Sequence, residues 1–348
     1  MKKRVLHVLV SNKFSGAENV VCSIIENCNN YEMFYCSPKG PILKELEKRN
    51  INFIPLNKIS PKELNRIVKE YQIDIIHAHD YKASFITALT HNRCKKISHL
   101  HNNTQFAKKW NIYTLLYALC SRKFDHIIGV SNQVFNEAKY KNYINKKYTT
   151  IYNCIDLENI ILKSKEKYDK KYDLFFIGRI TEQKNPLKLI TIVEELHKDY
   201  KNIKVVIIGN GDLMDKLKKS IKEKGLEKNI DIVGYQENPY RIIKNSRIGL
   251  MPSKWEGFGL TAVESLALGK PVLNTFNGGL GEIFKYDKDF SLTCSNIKKL
   301  LNNKDEYDKL SKKSIQISKE FTNKDKFKKE IELIYKEVLN DNSINSKL

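Results

Sequence analysis

Residues 253–273 read SKWEGFGLTAVESLALGKPVL. The apolar run RIGLMP (247–252) comes just before and reads as a buried strand, and KPVLN (270–274) reads as the next one. SKWEGFG is then the loop at the first strand's carboxyl end. LTAVESLAL is a helix closed by Gly269, where glycine accommodates the left-handed backbone of a helix end. A strand–loop–helix–strand unit of this kind belongs to a parallel sheet. Two carboxylates flank its turn: Glu256 on the loop and Glu264 about one turn into the helix. Gly257 and Gly259 permit close backbone approach, and the N–H groups around Phe258, Leu260 and Thr261 open toward the strand end. Bare amides and the helix dipole suit a phosphate there.

Outward from this unit the pattern is alternation. Short apolar runs at 4–10, 31–36, 51–56, 73–78, 95–100 and 126–130 are separated by amphipathic stretches of helical length. After the charged, aperiodic ILKSKEKYDKKY (161–172), read as a linker, the alternation restarts at 173–178, 204–209, 230–233, 247–252 and 271–274. Strands alternating with helices specify βαβ units. The expectation is α/β: two doubly wound parallel-sheet domains, residues 1–165 and 166–325. A last helical segment, 326–348, ends in a frayed tail. At 348 residues, two cores are also the default on size alone. Ligands of open α/β sheets bind beyond the carboxyl ends of the strands, so the cleft between two such domains is the expected active site.

Composition narrows the class. A hydrophobic share of 41% with 10% aromatics excludes disorder. No run approaches the ~20 apolar residues that span a bilayer. The start, MKKRVLHVLVSNKF, mimics a signal peptide, but its apolar segment is short and reads as a first strand. Seven cysteines without a CxxC pair point to reduced, mostly buried thiols in the cytoplasm. Sixty-one Lys and Arg against 40 Asp and Glu give +21. That excess fits a solvated basic surface, an anionic membrane face or a polyphosphate ligand. No nucleic acid is expected, because the aromatics lie in strand-like runs and no zinc-finger or RRM signature occurs.

Other motifs sit at strand ends. In SGAEN, Gly16 opens a helix whose amides could meet an anion, although taken alone the stretch reads better as a helix start with Glu18 complementing its dipole. HAHD (77–80) offers two imidazoles without a further evident ligand cluster, so no metal is expected. In SHLHNN (98–103), His101 could orient a hydroxyl or pass a proton, or be structural, while His99 reads as structural. GRITEQKN (178–185) supplies Arg179 and Lys184 after a strand, a fork and a point charge suited to a diphosphate. GNGDL (209–213) reads as a structural turn. Tyr235, Gln236 and Asn238 in GYQENP border a possible base site. Glu264 can accept hydrogen bonds from ribose hydroxyls, and Glu256 faces the opposite end of a diphosphate. Singly each acid is unremarkable; together they describe a nucleotide-sugar held at both ends.

Glu256-x7-Glu264 with GFG between resembles the EX7E motif of the retaining GT-B glycosyltransferases, specifically glycosyltransferase family 4 (glycosyl transferases group 1). The resemblance extends over most of the chain. SGAE resembles a GGAE loop, IIHAHDYKAS and SHLHNN the histidine segments, and IYNCID (151–156) a VPNGVD-like segment. GRITEQKN resembles the Arg/Lys phosphate motif and NGGLGE (277–282) the GG-x-x-E stretch. Ser15 and Cys154 stand where the family usually has glycine. The resemblance implies the GT-B fold, with two Rossmann-like domains facing across a cleft and the last helix bracing the first domain. It implies that Arg179, Lys184 and the amides after Glu256 hold the diphosphate, and that Glu264 binds the ribose. It also implies that Glu256 contacts the donor sugar, that His101 lies near the reacting centre, and that Gly16 approaches donor or acceptor. Transfer would retain anomeric configuration and need no metal or other cofactor; Asp287 and Asp289 form an incidental DxD.

The implied donor is a nucleotide-sugar, UDP first. The implied acceptor is a polyprenyl-diphosphate lipid or an oligosaccharide of bacterial surface-polysaccharide assembly, handled in the cytoplasm at the inner face of the plasma membrane. AKKWNIYTLLYAL (107–119) and KYKNYINKKY (139–148) are candidates for contact with an anionic membrane surface. A GT-B nucleotide-sugar 2-epimerase and a non-catalytic basic membrane-binding protein are the alternatives. A glycoside hydrolase would use paired carboxylates without a phosphate cradle.

Overall fold

The computed structural model describes residues 2–144 and 148–340. The chain forms two compact units: residues up to Cys154 together with the chain from Lys324 onward, and Ile155–Asn323. The first unit holds β1 (Arg4–Val8), β2 (Glu32–Ser37), β3 (Phe53–Pro55), β4 (Ile75–His79), β5 (Lys95–Leu100), β6 (His126–Gly129) and β7 (Tyr148–Thr150). They pair in the order β3-β2-β1-β4-β5-β6-β7, all parallel. The second holds β8 (Tyr172–Ile177), β9 (Val205–Ile208), β10 (Ile230–Gly234), β11 (Ser246–Met251) and β12 (Val272–Asn274). Their order is β10-β9-β8-β11-β12, again parallel.

Each sheet winds outward both ways from its first strand. β1 lies between β2 and β4, and β8 between β9 and β11. Loops leaving the two central strands diverge at these points, opening a crevice at the carboxyl ends. Alternation of side chains sorts the first sheet's faces. Leu6, Val8, Ile76 and Ala78 pack with Leu64 and Ile67 on one face, while Tyr35 joins Val21, Cys22 and Ile42 in a separate cluster.

Three details depart from the sequence reading. Leu157–Ser164 is a helix rather than the start of a linker. Asp156 caps it by accepting from the Asn159 N–H at 3.3 Å, and Tyr172 already belongs to β8. Ile160 is its only buried hydrophobic side chain, so its apolar period is faint, and the boundary falls at 154/155 rather than 165/166. β7 was not anticipated: YTT is a three-residue edge strand with no apolar run. None of the seven cysteines forms a disulfide, but only Cys22, Cys28 and Cys36 are buried. Burial pushes those three thiols up to about 12, which makes them inert.

The helix Lys324–Asn340 packs within the first unit, burying Phe327, Ile331, Ile334, Tyr335 and Val338. Tyr335 meets Tyr31 edge-on at 5.1 Å. The expected frayed tail and residues 145–147 of the second basic segment lie outside the described residues.

Candidate active site

In the second unit the neighbouring strands β8 and β11 each deliver a loop to the crevice. The loop 178–185 carries Arg179 and Lys184, and the loop 252–259 carries Glu256. Lys184 Nζ pairs with the carboxylate of Glu256, which is 5% exposed and also accepts from the Ser253 hydroxyl at 3.4 Å. Arg179 is exposed and donates to Gln183 Oε1 at 3.2 Å. Buried Gln183 stitches the loops together: its amide donates to the Trp255 carbonyl at 3.1 Å, and its own carbonyl accepts from the Lys254 N–H at 2.8 Å. Gln183 was missed in the sequence, because an amide between two charged motif residues carries no pattern.

The helix Leu260–Ala267 begins without a side-chain cap, because Gly259 stands at its N-cap with φ 117°. Its first amides, on Leu260 and Thr261, are therefore presented to the crevice rather than to a capping side chain. Gly278 and Gly279 close the loop from behind. A Cβ on Gly278 would lie 2.0 Å from the Glu256 carbonyl oxygen, and the Gly279 N–H donates to that oxygen at 3.1 Å. Phe258 and Gly257 are buried, and the Phe258 ring packs edge-on against Phe321 at 5.3 Å. The Phe258 side chain is thus closed to a ligand. In GNGDL a Cβ on Gly209 would meet the Gly178 carbonyl oxygen at 1.9 Å, so the close strand-end turn requires glycine there.

Glu264 is buried on that helix and accepts from the Tyr240 hydroxyl at 3.2 Å. Burial raises its carboxyl to about 7, against a smaller downward pull from the Tyr240 bond and Lys163. Tyr240 was missed, although it follows GYQENP directly. Within that segment the Asn238 amide donates to the Lys163 carbonyl at 2.9 Å, and its Oδ1 accepts from the Tyr240 N–H at 3.2 Å. The Gln236 amide is tied to the Val233 carbonyl at 2.7 Å. Tyr235 presents an exposed ring. Asp287 pairs with Lys313 and caps its own turn by accepting from the Asp289 N–H at 3.1 Å.

The first unit gathers a second group at the carboxyl ends of β1, β4 and β5. Gly16 is the first residue of the helix Gly16–Asn27, and buried Glu18 in its first turn accepts from the Ser15 hydroxyl at 2.5 Å. The His101 N–H donates to Asp80 Oδ1 at 2.9 Å, with Asp80 held at φ 64°, a costly conformation for a residue with a side chain. Desolvation lowers His101 to about 4, opposed by the charge of Glu18, so its imidazole is neutral. The HAHD reading needs correction here. His7, His77, His79 and His99 are buried and lie ring to ring with His101, so the two imidazoles do have a further cluster around them. His7 was missed because its partners come from strands that are distant in sequence.

On the same unit the helix Ile112–Ser121 buries Thr114, Tyr117, Ala118 and Ser121. Trp110, Ile112, Tyr113, Leu115, Leu116 and Leu119 are exposed, beside exposed Lys109, Arg122 and Lys123. Among the described residues no helix is long and apolar enough to cross a membrane.

Residues 158–332, just over half the chain, match the family described as glycosyl transferases group 1, and residues 15–159 match glycosyltransferase family 4. The capsular polysaccharide biosynthesis glycosyltransferase CapH of Staphylococcus aureus is 26% identical over 86% of this chain and 91% of its own. An N-acetylgalactosamine-N,N'-diacetylbacillosaminyl-diphospho-undecaprenol 4-alpha-N-acetylgalactosaminyltransferase of Campylobacter jejuni is 33% identical over 59% of this chain and 56% of its own. Anabaena HepE, solved with UDP and glucose, superposes with a TM-score of 0.83 at 16% identity, over 96% of this chain and all of that one. The chain belongs to the family 4 glycosyltransferases, glycosyl transferases group 1, and is an enzyme of the GT-B fold related to those of capsule and O-antigen assembly.

Proposed function

We propose that this enzyme moves a sugar from a UDP-sugar to a polyprenyl-diphosphate-linked or oligosaccharide acceptor, with retention at the anomeric carbon, in building a bacterial surface polysaccharide. The observation that carries the donor half is the uncapped helix start at Leu260, flanked by the Lys184–Glu256 pair on one side and by Glu264 with Tyr240 on the other. A diphosphate laid on those amides draws Lys184 and Arg179 to its oxygens. Glu256 is then released to a sugar hydroxyl, and Glu264 takes the ribose. Negative charge grows on the departing diphosphate, so prearranged cations and amides supply most of the acceleration, without a metal. Gly16 and neutral His101 belong to the acceptor-binding unit, where His101 orients a hydroxyl near the reacting centre. Tyr235 borders the base.

The acceptor half is supported by the Campylobacter relative, whose name specifies a diphospho-undecaprenol substrate, and the donor half by HepE, which was solved with UDP and glucose. The exposed apolar face of Ile112–Ser121 with its flanking Lys109, Arg122 and Lys123 suits the anionic inner surface of the plasma membrane, where such lipids reside. The test is thermal unfolding with UDP, GDP, ADP and dTDP, for wild type and Glu264→Gln. UDP at about 100 times its dissociation constant should stabilise the native state by roughly 2.7 kcal/mol, and the variant should lose most of that. No shift with any diphosphate would remove the donor assignment.

A further inference from the structure

We propose that His7, His77 and His79 form a buried site for a transition-metal ion of the zinc class. The inference stands whether or not the donor and acceptor reading holds. In the sheet register His7 lies beside His77, and His79 beside His99. Residues 77 and 79 share a face of β4, opposite to Ile76 and Ala78, so the imidazoles project together. Five rings result, from His7, His77, His79, His99 and His101, with neighbouring centroids 4.2 Å apart for His99–His101 and 4.4 Å for His77–His79.

The nitrogen bookkeeping points to an occupant. One ring nitrogen from each of His7, His77 and His79 lies within 4.8 Å of the others. His7 Nδ1 and His79 Nε2 are 3.0 Å apart. His77 turns Nδ1 to the Tyr335 hydroxyl at 2.8 Å, and His79 turns Nδ1 to His101 Nε2 at 2.8 Å. Each thereby keeps Nε2 for the cluster, with its other nitrogen fixed by an outer partner, as metal-bound histidines usually are. His77 Nε2 has no hydrogen-bond partner, and His7 Nε2, both nitrogens of His99 and His101 Nδ1 are likewise buried and unpartnered. A neutral imidazole has one donor and one acceptor, so no choice of tautomers satisfies these five nitrogens, and an ion held by the trio takes up His77 Nε2 among them. His7 Nδ1 and His79 Nε2, at 3.0 Å, are within direct hydrogen-bond distance and leave no room for water between them. A metal about 2.0–2.1 Å from each does fit, since tetrahedral ligands then stand about 3.3 Å from one another. All-imidazole donors select zinc, cobalt, nickel or copper over magnesium or calcium. His99 falls instead in a second close group with His79 and His101, with both its nitrogens unpartnered. The trio is set apart by two of its members, His77 and His79, whose other nitrogen is held by an outer partner.

The test uses the full-length protein without a polyhistidine tag. Metal is quantified by mass spectrometry as isolated, after dialysis against EDTA, and after refolding in excess Co2+ followed by dialysis. The expected result is about one equivalent per chain, resistant to EDTA in the folded state, with visible d–d absorption from the refolded cobalt form. His7→Gln and His77→Gln should retain less than a tenth of that metal; His99→Gln and the surface control His91→Gln should retain all of it. The wild-type cobalt measurement stands even if a variant fails to fold. A wild type that refolds without stoichiometric metal or d–d bands overturns the proposal, and so does loss of metal in His99→Gln with retention in His7→Gln.

Discussion

The carboxyl of Glu264, at about 7, ties stability to pH in a direction opposite to most acids. Its folded value lies above that of an unfolded glutamate, near 4.3, so the folded state holds the proton that the unfolded state gives up. This contribution is complete below about pH 4 and is lost as pH rises through 7; over that span it amounts to about 3–4 kcal/mol. Melting temperature should therefore fall less steeply between pH 5 and 8 in Glu264→Gln than in wild type. UDP binding should strengthen over the same interval, because ribose hydroxyls are better received by the carboxylate. Equal slopes in both proteins would refute the linkage. Lys184 offers a second measurement. It is half-buried against buried Glu256, so Lys184→Met leaves a buried carboxylate without its cation at a cost of about 3–5 kcal/mol. Exposed Arg179→Met should alter stability by less than about 0.5 kcal/mol. Adding Glu256→Gln to Lys184→Met should restore most of the stability and none of the turnover, a cycle read by urea unfolding and product assay.

At the scale of elements, the helix Ile112–Ser121 is apolar on both sides, which burial on one side cannot explain. Leu115→Glu with Leu116→Glu should leave the melting temperature near wild type and abolish co-flotation with anionic vesicles; retained flotation would remove the membrane role. The sequence displays this helix openly, as it does every strand except β7, because fully buried parallel strands are uninterrupted apolar runs. The glycine-bounded loop with its two glutamates was legible for the same local reason: a turn, a helix start and an acid one turn later all lie within a dozen residues. What was illegible depends on partners brought together by the sheet. Gln183 matters through Trp255, Tyr240 through Glu264, and His7 through residues some seventy positions away. The helix Leu157–Ser164 was hidden differently, under lysines that look like a linker.

At the scale of the molecule, both alternations and the count of two units could be read from the chain, while the boundary could not. The first unit is also discontinuous: it needs the helix from Lys324, which the intervening 155–323 unit separates from Cys154. Tyr335 on that helix meets His77, so the imidazole group lacks this partner until the helix arrives. On the ribosome, at roughly 5–20 residues per second, that delay is about ten to thirty seconds. The second unit, continuous in sequence, can finish first. Nascent chains stalled before residue 324 should accordingly show a protease-resistant 155–323 fragment and a digestible N-terminal part, with resistance throughout only after release. During synthesis, then, the older half of the protein is the last to mature, and its histidine group goes without its tyrosine partner for as long as the chain is being made.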